Sequence, residues 1–214
     1  MKLWICEPAV NDTVLSPRLR LRWQKVAQQT GGLSFIKAEP GENHGMLLTR
    51  IWQEILNSDD PLQVISELDF IPYDTFNGEM KQILLQSPAL FLEYVTREED
   101  LQLRRHGPLS GAWLLGFNRD LASPDLPLDW LAAAGPFNDA ANNAYSRFPE
   151  NPDTVFEEGH DEAPASLGLE YSGLGYHCFF HRHFADPLET VLFPGYSLGA
   201  HLRDVTARLD ALEV

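Results

Sequence analysis

The sequence predicts an α/β protein: one domain over residues 1–214, a mainly parallel sheet flanked by helices, and a less regular C-terminal half. Three observations predict it. Apolar strand-like runs alternate with segments of helical periodicity through residues 1–100, joined by short loops, which is the pattern of a parallel sheet with crossover helices. The chain has 214 residues, 44% hydrophobic and 11% aromatic, enough to bury a sizeable core. Glu7, Glu39, Glu67 and Asp69 all fall at or just past the carboxyl ends of expected strands, where open α/β sheets bind ligands.

Each element has a local reason. Residues 3–6, Leu-Trp-Ile-Cys, read as a short buried strand, and Pro8 and Asn11 punctuate the loop after it. Ser16-Pro17 opens a helix, with serine as the cap and proline in the first turn. Leu19, Trp23 and Val26 mark its apolar face, Arg18, Arg22 and Lys25 the opposite one, and Gly31-Gly32 stop it. Residues 33–38 form a second strand, closed by Glu39-Pro40-Gly41. A second helix spans 43–57, with Leu47, Ile51 and Ile55 at helical spacing. Asp59-Asp60-Pro61 turn the chain into 62–70, an apolar strand that ends in Glu67-Leu68-Asp69. Phe76, Met80, Ile83 and Leu84 mark a third helix, and residues 89–95 a further strand.

In the second half, residues 111–118 read as a strand and 129–134 as a short helix. Gly135-Pro136 precede a helix from Ala140, and the proline- and acid-rich stretch 148–168 reads as a mobile loop. Residues 176–184 form a strand, and 198–212 a terminal amphipathic helix with Leu202, Val205 and Leu209 inward.

Charge and composition exclude several function classes. A net charge of −15 argues against nucleic acid and anionic membrane surfaces, since both need basic protein surface. There is no apolar run long enough to span a membrane. Glu7 interrupts any leader-like apolar start, so a cytoplasmic protein is expected. Cys6 and Cys178, far apart and each in an apolar segment, fit buried thiols in a reducing compartment. An anionic substrate would need a metal or local positive charge. Self-association into a homo-oligomer stays open.

The candidate chemistry centres on Glu67 and Asp69. On a continuous strand, residues two apart point the same way, and paired carboxylates suit a hard divalent cation that bridges to substrate phosphate. Mg²⁺ or Mn²⁺ is the expected cofactor. His177, His181 and His183 share one parity, so on a continuous strand they would face one side. Three readings follow: one histidine joins the cation, the set forms a zinc site in a metallohydrolase, or it is a polar strand face. Asp139, after Gly135-Pro136, either caps its helix or serves as a general base. His44 is either a helix-start residue beside bound phosphate or an ordinary surface residue. Arg97, Arg104, Arg105 and His106 either offset the nearby Glu98, Glu99 and Asp100 or meet phosphate or an anionic acceptor. Trp113 suits stacking on an acceptor sugar, and Trp130 reads as core.

Taken in order, these residues resemble a nucleotide-sugar glycosyltransferase of the GT-A fold, most like the family 2 type. Pro8-Ala9-Val10-Asn11 stands where such enzymes have a Pro-x-x-Asn turn after the first strand, and Gly41-Glu42-Asn43-His44-Gly45 precedes the corresponding second helix. Glu67-Leu68-Asp69 occupies the place of the metal-binding Asp-x-Asp, and Ser110-Gly111-Ala112-Trp113 that of the acceptor segment. The resemblance implies one GT-A-like domain, with residues 1–100 holding the nucleotide sugar and 101–214 the acceptor; the acidic loop 148–168 is expected to close over the donor and exclude water. It implies Asp69, Glu67 and one of His177, His181 or His183 on the metal. Glu7, Asn11, Glu39, His44 and Glu67 would lie along the nucleotide, and Asp139 would be the catalytic base. The partners would be a nucleoside-diphosphate sugar and a hydroxyl acceptor, joined with inversion. Family members carry Asp-Asp-Gly-Ser after the second strand; this chain has Glu39-Pro40-Gly41-Glu42, so a non-catalytic binding or assembly protein of the same fold is the alternative.

Overall fold

The alternation of the first half becomes a layered α/β sheet. The computed structural model of the protein describes residues 1–9, 14–94, 109–121, 155–159, 168–180 and 186–213. Its strands are β1 (Lys2–Glu7), β2 (Gly32–Lys37), β3 (Leu62–Glu67), β4 (Phe70–Pro72), β5 (Ala89–Tyr94), β6 (Leu109–Asn118), β7 (Val155–Gly159), β8 (Leu169–Tyr171), β9 (Gly175–His177), β10 (Val191–Phe193) and β11 (Tyr196–Ser197). Its helices are α1 (Leu15–Ala27), α2 (His44–Leu56), α3 (Phe76–Gln86) and α4 (Leu198–Ala211).

The central sheet has six strands in the order β2-β1-β3-β6-β5-β7. β1 pairs in parallel with β2 and β3, and β5 in parallel with β7. β6 lies between β3 and β5 and is antiparallel to both. The strands around Leu3, Phe35, Val64 and Phe91 therefore all run one way, as expected, with one reversed strand from the second half set among them. A second sheet, β4-β9-β8, is antiparallel, and β10 and β11 form a separate hairpin. Both multistranded sheets draw on both halves of the chain.

Alternating residues of the central strands feed two cores, because a strand presents successive side chains to opposite faces. Leu3, Ile5 and Val64 pack with residues of α1, α3 and α4, including Trp23, Met80 and Val205. Trp4, Cys6 and Ile65 pack on the other face with Leu47, Leu48, Ile51 and Ile55 of α2. Helices thus cover both faces of a sheet that is mainly parallel. Trp23 anchors the small sheet: its ring meets Phe76 edge-on at 5.5 Å and lies 6.3 Å from Phe70.

Several local expectations are corrected. α1 starts at Leu15, with Val14 as its N-cap and no side-chain capping bond, so Ser16 and Pro17 stand inside its first turn. Proline is tolerated there because the first-turn amides have no intrahelical partner. Arg22 is fully buried rather than on a solvated face; its Nε donates to the Pro72 carbonyl at 2.6 Å and its Nη1 to Asp74 at 2.8 Å. The run 62–70 is two strands in two sheets, broken at Leu68-Asp69. Residues 155–159, expected within a mobile loop, are the parallel edge strand β7. The strand expected over 176–184 ends at His177, and Phe179 takes a positive φ of 52°. The premise that put His177, His181 and His183 on one strand face therefore fails. The helices expected at 129–134 and from Ala140, and the basic cluster 97–106, lie outside the described residues.

Candidate active site

The site grows out of the break at Leu68-Asp69, where the chain steps from one sheet to the other. Glu67 ends β3 in the central sheet. The Leu68 amide donates to the Cys6 carbonyl at 3.0 Å, which ties the turn to the end of β1. Asp69 immediately precedes β4, where Phe70 pairs with His177 of β9. The Cys178 amide and thiol both donate to the Asp69 carbonyl, at 3.1 and 3.0 Å. Glu67 and Asp69 thus approach from opposite sides of a turn, and His177 is brought between them by the small sheet.

His177 Nε2 lies 3.3 Å from Glu67 Oε2 and 3.3 Å from Asp69 Oδ1. One ligand atom from each of the three residues falls within 4.8 Å of the other two. Asp69 and His177 are fully buried, while the Glu67 side chain is 12% exposed and forms the open side of the cluster. Burial works against charging His177, but Asp69, together with Glu67, outweighs it and lifts the imidazole above its ordinary range. Two carboxylates against one imidazole still leave an excess of negative charge.

The donor set fits a hard divalent cation. Neighbouring ligands of an octahedral ion with bonds of about 2.1 Å lie about 3 Å apart, close to the 3.3 Å separations here. Carboxylates with a single imidazole suit Mn²⁺ or Mg²⁺ better than a histidine-rich zinc set does.

Glu67 also faces a cavity of about 410 Å³. Its walls come from the carboxyl end of β1 (Cys6, Glu7, Pro8, Ala9), the residue after β2 (Ala38), the start of α2 (Glu42, Asn43, His44, Leu47), and Glu67 with Leu68. This is the carboxyl edge of the parallel strands, where α/β sheets place ligands. Asn43 caps α2, its side chain accepting from the Met46 amide at 2.9 Å. His44 Nε2 lies 3.5 Å from Glu67 Oε1, so the Glu67 carboxylate stands between two imidazoles.

The other carboxylates of the cavity are matched by arginines. Buried Glu7 takes both oxygens to the Arg20 guanidinium, which also lies over the Phe35 ring at 4.8 Å. Glu42 receives Arg50 Nη2 at 2.7 Å and Nε at 3.2 Å, which holds its carboxyl below the ordinary range. Burial, with Glu67 beside it, pushes the Cys6 thiol well up, so Cys6 contributes a neutral wall.

Of the residues singled out in the sequence, Glu67, Asp69, His177 and His44 come together, and Glu7 joins them across the cavity. Glu39 is exposed and stands outside the cavity walls. Asn11, Asp139, His181 and His183 lie outside the described residues. Ser110 and Gly111 are on β6, in register with Glu93 and Leu92. Sequence reasoning missed the Glu7–Arg20 and Glu42–Arg50 pairs. Each pair joins a helix residue to one outside that helix, so the pattern within a single element did not mark it.

No protein-family model matches the chain, and no curated protein matches it in sequence. Among solved structures, the chain is similar to a glycosyltransferase involved in the glycosylation of the major capsid of PBCV-1, with a TM-score of 0.50 and 12% identity over 78% of this chain and 84% of that one. It is also similar to a nucleotide-diphospho-sugar transferase, described as putative, from Desulfovibrio desulfuricans G20, with a TM-score of 0.49 and 11% identity over 99% of this chain and 97% of that one. At such identity, the likeness to the first establishes a shared fold.

Proposed function

We propose that this protein is a metal-dependent glycosyltransferase of the GT-A type, related to family 2, which moves a sugar from a nucleoside diphosphate to an acceptor hydroxyl with inversion. One observation carries the reading: the Glu67–Asp69–His177 cluster sits at the carboxyl edge of parallel strands, and Glu67 belongs both to it and to the wall of the 410 Å³ cavity. The fold shared with a capsid glycosyltransferase supports it.

Asp69, Glu67 and His177 would hold Mn²⁺ or Mg²⁺, which when bound offsets charge on a leaving diphosphate. The remaining work belongs to the chain. The cavity accepts the nucleotide between the ends of β1 and β2 and the start of α2. The positive end of the α2 dipole, with His44 beside it, favours phosphate there. Arg20 and Arg50 neutralise Glu7 and Glu42, so these walls do not repel an anionic donor. Asp139 is the proposed base that takes the proton of the acceptor hydroxyl. The reading carries with it a single domain and, given the buried thiols Cys6 and Cys178, a reducing compartment. Among the described residues, no helix is long and apolar enough to cross a membrane. The described part of the site, with two carboxylates and one histidine, favours this reading over a zinc hydrolase.

A thermal-shift panel of UDP and GDP, with Mn²⁺ or with EDTA, tests it. Ligand at a hundred times its dissociation constant stabilises the native state by about 2.7 kcal/mol, which gives a clear shift. A Mn²⁺-dependent shift with one nucleotide is expected, followed by transfer from the matching sugar nucleotide. The absence of any shift with either nucleotide in Mn²⁺ refutes the reading, and nucleotide binding without transfer identifies a non-catalytic binder.

A further inference from the structure

His177 is the last residue of β9, and a ligand at a strand end is only as well placed as the turn that follows it. That turn is unusual. Phe179 has a φ of 52°, a conformation that bulky L-residues adopt only when their surroundings hold them there. The Phe179 ring meets the His177 ring edge-on at 4.0 Å, so the backbone of the turn and the aim of the imidazole are linked.

The structure also shows what holds the turn. On one side, the Cys178 amide and thiol donate to the Asp69 carbonyl. On the other side is His201 of α4, a fully buried histidine. Its Nε2 lies 2.6 Å from the Cys178 carbonyl oxygen. A carbonyl only accepts, so Nε2 carries the proton and donates. The ring stacks on Phe180, centroids 5.8 Å apart at 23°. Its Nδ1 lies 3.1 Å from the Tyr196 hydroxyl, which in turn donates to Asp204 at 2.6 Å. The imidazole is thus anchored through Nε2, has the Tyr196 hydroxyl beside Nδ1 and is packed on one face, more than a packing residue on a terminal helix requires.

We infer that His201 is a positioning residue for the metal site, fixing the 178–180 turn through the Cys178 carbonyl and thereby aiming His177 at Glu67 and Asp69. The inference rests on the metal reading above and adds a residue to it. It makes α4, through His201 and Asp204, and β11, through Tyr196, part of the scaffold of a centre whose proposed ligands all come from other elements. The residue acts through its neighbour and touches no substrate.

Full-length protein tests this by titration with Mn²⁺, following the electron paramagnetic resonance signal of the free ion. Loss of an outer-shell partner costs about 10- to 100-fold in metal affinity. His201→Leu, which keeps an apolar filler and removes the donor, is expected to weaken Mn²⁺ binding by about tenfold or more. His201→Gln, whose amide nitrogen can donate to the same carbonyl, is expected to restore most of it. Melts in EDTA establish that each variant folds. Tyr196→Phe, which leaves the ring packing intact, is expected to weaken binding less than His201→Leu, and serves if His201→Leu does not fold.

Wild-type Mn²⁺ affinity in a folded His201→Leu variant overturns the inference. So does equal loss in the leucine and glutamine variants, because the donor would then not matter. If His201→Leu does not fold, wild-type affinity in Tyr196→Phe overturns it. Wild-type protein that binds no Mn²⁺ refutes the metal reading itself, and the inference with it.

Discussion

Asp69→Asn separates the charge of this site from its shape. Asparagine keeps the volume of a side chain that is fully buried and removes one carboxylate from a cluster with two carboxylates and one imidazole. In the metal-free protein the change is mild. Glu67 still faces His177 at 3.3 Å, so one negative group remains opposite one positive group. Asp69 is the main group lifting His177, so the imidazole of the variant is expected to titrate lower. Removing a partner that leaves a buried charge uncompensated costs about 3–5 kcal/mol; here the surviving pair is balanced, and a loss well below that is expected. The metal-bound protein is another matter. Losing one charge-stabilising group costs about 10²- to 10³-fold in turnover, and a hundredfold loss of affinity equals about 2.7 kcal/mol. The assay compares melts in EDTA with melts in Mn²⁺ plus UDP or GDP, followed by transfer rates. Asp69→Asn is expected to melt near wild type in EDTA, to lose the Mn²⁺-dependent nucleotide shift, and to lose transfer. If it binds nucleotide with unchanged affinity and unchanged metal dependence, Asp69 is only a buried polar group and the metal-site argument fails.

Three further outcomes follow from the same geometry. His177→Leu leaves Glu67 and Asp69 without the imidazole between them and is expected to cost about 3–5 kcal/mol in EDTA, measured by urea denaturation; a loss below 1 kcal/mol refutes the pairing. Because His177 titrates above its unfolded value near 6.5, its contribution is fully present below that value and is lost as pH rises through the folded one. Metal-free wild type should therefore lose stability through this group as pH rises above about 6.5, by a component absent from His177→Leu in parallel denaturation series. Gly175→Ala would bring a Cβ to 2.3 Å from the Ile71 carbonyl oxygen and 2.7 Å from the Phe70 ring; a loss on the order of 2–4 kcal/mol is expected, with weakened Mn²⁺ binding because β9 carries His177.

Much of this was legible in the sequence because it is local. Apolar runs and helical spacings marked β1, β2, β3, β5 and the four described helices, and the acids at Glu67 and Asp69 marked where the site lies. What was not legible depends on contacts between distant segments. Arg22 falls on the polar side of α1 by spacing alone, yet β4 packs across that side and buries it against Pro72 and Asp74. β6 reads as a strand, but nothing in its residues says that it runs backwards between β3 and β5. The apolar run 62–70 hides its break, since Leu68, Phe70 and Ile71 are buried in either sheet. Parity links His177 to His181 and His183 only on a continuous strand, and β9 ends at His177. His201 carries no sequence signal at all: its role depends on Cys178, 23 residues away.

The reversed strand β6 has a consequence for how the chain acquires its fold. β3 and β5 are close in sequence and parallel in direction, yet they never touch as neighbours in the sheet; each pairs with β6. Until residues 109–118 are in place, β3 has only β1 beside it and keeps an open edge, and β5 has no partner on that side. Unpaired edges are where chains pair wrongly with one another. Completing the sheet is therefore a late event that waits for the second half of the polypeptide. Synthesis of the first ninety-odd residues yields a half-sheet with a hydrogen-bonding edge exposed, and the strand that closes it arrives from beyond β5.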